Sequence, residues 1–295
     1  MDLTSNVTDT AVILEGGGMR GAYTAGIVTT LLEAGIYANY VVGISAGSSN
    51  TANYLSRQAD RTRKCFVEFA TDPEFGSWRS WLMGQGLFNA RYIYEIACLR
   101  GQAIPYDFAT FAANPADFRI GAYDARLGET VYWGRKDIHS QHDLMRKVRA
   151  SSSIPIVMPS VTINGRVYVD GAIGTGGGIP LQQAQRDGYK KFFVVLTRER
   201  EYVKPPYKAE LMLRAYYRHY PAIIDGIMRR TAEYNSTRDE LFELERVGQA
   251  CLVMPNRITV TNRTRDLASL EATYDDARAQ AKRELPHWQE FFGLR

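Results

Sequence analysis

A serine hydroxyl becomes a useful nucleophile when a turn lifts it clear of the backbone and a base stands beside it. Gly43-Ile44-Ser45-Ala46-Gly47 has the composition of such a turn. The apolar run Tyr40 to Gly43 precedes it and reads as a buried strand, while Ser48 to Arg57 continues as a helix. In a strand-turn-helix setting, G-x-S-x-G puts the serine on a strained turn, and Gly43 and Gly47 let strand and helix approach without a side chain between them. The chemistry implied is acyl transfer through Ser45. The same five residues also arise in ordinary Gly- and Ser-rich turns, so the flanking elements carry most of the weight.

A second glycine cluster, Gly16-Gly17-Gly18-Met19-Arg20-Gly21, lies between the strand-like Ala11 to Glu15 and a helix expected over Ala22 to Ala34 and ended by Gly35. Backbone N–H groups at such a turn, beside a helix N-terminus, favour negative charge. Two anions fit: the oxyanion of a tetrahedral intermediate, or the pyrophosphate of a dinucleotide, because Gly16, Gly18 and Gly21 also satisfy G-x-G-x-x-G. The dinucleotide fingerprint calls for an acidic residue about twenty positions on. Here Asn39 and Tyr40 stand there, followed by the serine turn. Asp170-Gly171-Ala172 is the third piece, at the end of the strand-like Arg166 to Val169 and before the Gly-rich Gly174 to Gly178. An aspartate there can reach into a site, though the same triplet is common as a plain turn.

Strands alternating with helices must hold these pieces. Phe118 to Ala122, Val131 to Trp133, Lys191 to Leu196 and Gln249 to Met254 read as further strands, and Leu181 to Gly188 reads as a helix. The pattern predicts an α/β fold with a mostly parallel central sheet covered on both faces. Cys65 to Gln102 departs from it, being rich in aromatics, and fits a cap-like insertion at about 65–117. Trp78, Trp81 and Phe88 are expected there as packing residues rather than a lipid-binding rim. Lys208 to Arg246 reads as helical, and its Tyr216 to Tyr220 cluster with Arg214 and Arg218 is expected to be a solvated face. A charged helix from Leu267 to Phe292 closes the chain.

Together the three motifs resemble the patatin-like acyl hydrolases, in order from Ala11 to about Leu196, with Ala150-Ser151-Ser152-Ser153-Ile154-Pro155 as a further matching stretch. The resemblance implies a three-layer α/β/α patatin-like sandwich. It implies Ser45 as nucleophile, Asp170 as general base, and an oxyanion hole from Gly16, Gly17 and Gly18 with Arg20 in support. Glu15, Gly21, Gly43, Gly47, Gly171 and Ala172 support these motifs. Glu15 stands where the family's Gly-rich motif often has Asp, a small departure outside the glycines. Residues 1–200 would form the catalytic domain and 201–295 a helical extension packed on it, where the resemblance fades to bacterial subfamilies. The substrate implied is a lipid or other acyl ester, with transient membrane-surface contact and no cofactor.

Bulk properties agree with an ordinary globular chain. Hydrophobic residues are 45% and charged residues 23% of the 295, enough for a sizeable core. The polar Met1 to Thr10 argues against a signal peptide, and no apolar run is long enough to span a membrane. Three cysteines, Cys65, Cys98 and Cys251, lie far apart without metal-ligand spacing, which suits a reducing cytoplasm, with or without contact at the inner membrane surface. The net charge of +4 is spread along the chain and neither demands nor excludes an anionic partner; no nucleic-acid partner is expected. His139, His142, His219 and His287 stand in no turn that looks catalytic, and no metal is expected. Two rival readings remain at this point: a nucleotide-binding oxidoreductase using the glycine turn, and a catalytically idle lipid-binding protein of the same fold.

Overall fold

The computed structural model describes residues 3–84, 86–207 and 210–294, and its description leaves out the side chains at 78, 79 and 210–212. The strands are β1 Ala11–Leu14, β2 Tyr40–Ile44, β3 Asp117–Asp124, β4 Glu129–Trp133, β5 Val161–Ile163, β6 Arg166–Asp170, β7 Phe192–Val195 and β8 Ala250–Val253. They form one sheet in the order β5-β6-β3-β2-β1-β7-β8, with β4 also paired to β3. From β3 through β2, β1 and β7 to β8 neighbours are parallel, whereas β4, β5 and β6 join antiparallel. The helices are α1 Gly21–Glu33, α2 Ala46–Leu55, α3 Ala59–Phe66, α4 Trp78–Leu82, α5 Phe108–Ala113, α6 Gln141–Ser152, α7 Leu181–Arg186, α8 Glu210–Tyr216, α9 Pro221–Arg246 and α10 Leu267–Phe291.

The central strands are apolar along their whole length because both faces are covered. Val12, Leu14, Val41 and Phe193 face one side and pack with Tyr23, Ile27 and Leu31 of α1 and Trp288 of α10. Ala11, Ile13, Val42 and Val194 face the other and meet Leu181 of α7 with Tyr234 and Leu241 of α9. The protein is therefore the expected three-layer α/β/α sandwich with a mostly parallel sheet. The first helix is buried from Gly21 to Leu32. It lies close against α10: a Cβ on Gly26 would fall 2.7 Å from the Tyr274 carbonyl oxygen. The strand-like Gln249 to Met254, within the C-terminal helical part, supplies β8, which extends the sheet beyond β7.

One feature of the sheet decides where the site forms. Along β3, β2 pairs up to Ile44 opposite Gly121, and β6 begins at Asp170 opposite Ala122. Since β4 flanks β3 from Ile120 to Asp124, across the point where β2 ends and β6 begins, β2 and β6 share the other edge and meet nearly end to end. The residue after β2 is Ser45 and the last of β6 is Asp170, so consecutive register positions on β3 bring the two together.

The helical stretch expected over Lys208 to Arg246 consists of two helices, α8 and α9, because Pro221 has no N–H to continue a helix and instead sits at the first turn of α9, with Tyr220 before it; Lys208 itself lies outside the described residues. Phe88 is buried with Phe66, Phe69 and Phe75, as expected of packing residues, but Trp81 is 43% exposed. The side chain of Trp78 lies outside the description.

Candidate active site

Ser45 caps the N-terminus of α2 with φ +56° and ψ −126°. A non-glycine residue so placed carries strain of about 1–3 kcal/mol that its surroundings must hold. The flanking glycines make those surroundings possible. A Cβ on Gly43 would lie 2.3 Å from the Gly47 carbonyl oxygen, and one on Gly47 would lie 2.0 Å from that of Leu14. The Ser45 N–H donates to Ser151 Oγ at 2.9 Å, and Ser151 Oγ donates to the Gly121 carbonyl at 2.5 Å, which ties the turn to α6 and β3. Ser45 Oγ donates to Asp170 Oδ2 at 2.7 Å. Both residues are 3% exposed.

Asp170 is held on three sides. Its Oδ1 accepts from the Ala172 N–H at 2.8 Å, and its own N–H donates to the Ser153 carbonyl at 2.9 Å. Gly171 must be small, since a Cβ there would approach the Gly121 carbonyl oxygen to 2.6 Å. Burial raises the Asp170 carboxyl above its ordinary 3.8, against the hydrogen bonds from Ser45 and Ala172 and the Arg230 charge, which pull it down. A carboxylate in that state is a better proton acceptor than an exposed one.

The glycine turn follows β1 and faces Ser45. Gly16 donates its N–H to the Gly178 carbonyl at 3.0 Å, so its N–H is not available to a ligand, contrary to its expected place in the oxyanion hole. Among the described residues, the N–H groups of Gly17 and Gly18 have no hydrogen-bond partner. Gly18 has φ +56°, and a Cβ on it would come 2.5 Å from the Asn262 carbonyl oxygen. Arg20 is buried and points its Nε at Thr197 Oγ1, 3.3 Å away. Glu15 accepts from the Thr197 N–H. Thus Arg20 and Glu15 brace the turn through the segment that follows β7. Gly21 abuts the Phe66 ring, 2.5 Å from where its Cβ would be.

Cavities of different character meet at Ser45. One, of about 80 Å³, is apolar and runs among Met19, Ala46, Phe66, Phe75, Ile93 and Met158. The other, of about 460 Å³, holds Ser45, Asp170 and the three glycines, and its mouth includes Trp81, Ile156 and Tyr207. Among the described residues no histidine lines either cavity, and all four histidines are exposed. Among the described residues no group of three His, Cys, Asp or Glu side chains could hold a metal ion, and no helix is long and apolar enough to cross a membrane.

A family model described as patatin-like phospholipase matches residues 12–184. The chain belongs to the patatin-like phospholipase family. That match takes in the serine turn, the glycine turn and Asp170, and a domain of unknown function (DUF6363) matches residues 220–293 beyond it. The uncharacterized protein YjjU of Escherichia coli (strain K12) is 28% identical over 189 residues, which are 63% of this chain and 51% of YjjU. Lysophospholipase NTE1 of Yarrowia lipolytica is 25% identical over 199 residues, 62% of this chain and 12% of that protein. The chain thus matches about half the length of YjjU and a small part of NTE1. The crystal structure of VipD from Legionella pneumophila superposes with a TM-score of 0.50 at 11% identity, covering 95% of this chain and 67% of that one, a likeness of fold alone.

Sequence reasoning missed Ser151 as the acceptor for the Ser45 N–H, although it lies in a stretch quoted for the family. It also missed Thr197, Gly178 and Asn262, which shape the glycine turn from distant parts of the chain, and Lys204 and Arg230, which line the larger cavity.

Proposed function

We propose that this protein is a serine acyl hydrolase acting on lipid esters through a Ser45/Asp170 dyad. The 2.7 Å bond from Ser45 Oγ to Asp170 Oδ2, made at a strained strand-helix turn, carries the reading. Asp170 removes the hydroxyl proton as Oγ attacks the ester carbonyl carbon. The oxygen of the tetrahedral intermediate faces the unpartnered N–H groups of Gly17 and Gly18, which stabilise its charge. Collapse expels the alcohol, which takes the proton from Asp170. A water molecule then gives a proton to Asp170 and attacks the acyl-enzyme, releasing the acid and restoring Ser45. The apolar cavity suits an acyl chain. Trp81, Leu82 at 77% exposure and Ile156 favour transient contact of the mouth with a lipid surface.

The dinucleotide reading has less support, because Ser45 and Asp170 occupy the end of β2, where a ribose contact would be needed. Purified protein should hydrolyse 4-nitrophenyl butyrate, and Ser45→Ala should reduce this to background with unchanged circular dichroism. Undiminished turnover by the variant would refute the assignment.

A further inference from the structure

The larger cavity carries more positive charge than ester hydrolysis requires. Among the described residues Arg20, Lys204, Arg230 and Arg263 line it, with Asp170 as the one lining carboxylate. Among the described residues none of these four cations is in an ion pair. Arg20 is committed to Thr197. Arg230 makes one long Nε contact to the Gly177 carbonyl at 3.3 Å. Lys204 Nζ lies over the Tyr234 ring, 4.1 Å from its centroid. The three cations come from separate parts of the chain: Lys204 from the segment after β7, Arg230 from α9 and Arg263 from the segment between β8 and α10. All lie outside the residues 12–184 that match the family model. Gathering like charges in a partly desolvated cavity is unfavourable, and beyond the Asp170 and Glu15 carboxylates nearby an entering anion would relieve it further.

We propose that Lys204, Arg230 and Arg263 form a headgroup site that selects acyl esters carrying a phosphate group over neutral esters. This rests on the acyl hydrolase reading above. With the ester carbonyl at Ser45 and the acyl chain in the apolar cavity, the alcohol half of the substrate lies in the larger cavity, where guanidinium and ammonium groups make charge-assisted hydrogen bonds to phosphate oxygens. Lys204 adds a dependence on pH. Burial brings its ammonium down to about 7, helped by Arg230, Arg20 and Arg198 and opposed by Glu15; the Tyr202 and Tyr234 rings also pack against it. Above that pH the ammonium loses its charge and its hold on an anion.

The test compares kcat/KM of the full-length protein for a short-chain lysophosphatidylglycerol and the monoacylglycerol of the same acyl chain, both below micelle formation. Wild type should prefer the phosphate-bearing ester by about tenfold or more, the scale of one charge-assisted hydrogen bond. The preference should fall as pH rises through about 7. Lys204→Gln and Arg263→Gln should each move the ratio towards one. Lys204→Arg should keep the preference and lose its pH dependence, which a merely structural role for Lys204 would not produce. Asp170 titrates in both reactions, so its effect cancels in the ratio. Equal kcat/KM for the two esters in wild type, or an unchanged ratio in Lys204→Gln, would overturn the proposal. So would inhibition by inorganic phosphate without any preference between the esters, since the site would then take free phosphate rather than a headgroup. Failure of the dyad reading looks different: wild type would turn over neither ester.

Discussion

Asp170→Asn is expected to lower ester turnover by about a hundred- to ten-thousandfold while leaving the protein folded and no less stable at neutral pH. The amide oxygen still accepts from the Ala172 N–H, while its NH2 faces Ser45 Oγ as a donor and cannot take the hydroxyl proton. The buried site holds the carboxyl above its ordinary value, so the protonated form is the one the fold prefers. The contribution of Asp170 to stability is therefore fully present below its unfolded pKa and is lost as pH rises through the raised folded one. Once ionised, the native carboxylate is buried at a cost, and asparagine removes that burden. Turnover runs the other way, because the base must be ionised: the rate should fall as pH drops through the raised pKa. Urea denaturation of the variant beside wild type and kcat against pH give the checks. Each histidine changed singly to Ala should leave most of the activity. Loss on the scale of Asp170→Asn in any one of them, with the fold intact, would replace the dyad by a triad built on that residue.

Gly18→Ala should lower turnover by about a hundred- to a thousandfold, the usual effect of losing one oxyanion donor. Gly18 has φ +56°, and its new Cβ would meet the Asn262 backbone at 2.5 Å, so the turn must shift and carry the Gly17 and Gly18 N–H groups with it. Gly35→Ala is the control. Its φ is +66° with nothing within 4 Å of the added carbon, so it should lose roughly 1 kcal/mol of stability and keep its rate. Comparable rates for Gly18→Ala and wild type would remove Gly18 from the proposed hole.

The parts of the site readable in the sequence are those whose chemistry is local. The turn around Ser45 declares itself within five residues because Gly43 and Gly47 must both be small next to the same hydroxyl. The glycine turn and Asp170-Gly171 are short for the same reason. What joins them is not local. Ser151 reaches Ser45 across 106 residues, and Glu15 reaches Thr197 across 182. Nothing near Lys204, Arg230 or Arg263 marks them, because only the packing of α9 and the segments after β7 and β8 turns them into one cavity. Nor does any local signal show that β6 takes over the edge of β3 where β2 stops. That handover gives Asp170 its place beside Ser45. Gly16 shows the opposite limit: its place in the motif suggested a free N–H, and the carbonyl of Gly178 takes it.

Labelling with a fluorophosphonate tests the central claim most directly, because the reagent bonds to a serine only where a base and an oxyanion site activate it. Intact-mass analysis of the wild-type protein should show one adduct, and peptide mapping should place it on Ser45. Ser45→Ala should show none, and Asp170→Asn should label far more slowly. An adduct that persists in Ser45→Ala, or a wild-type protein that stays unlabelled while folded, would contradict the account.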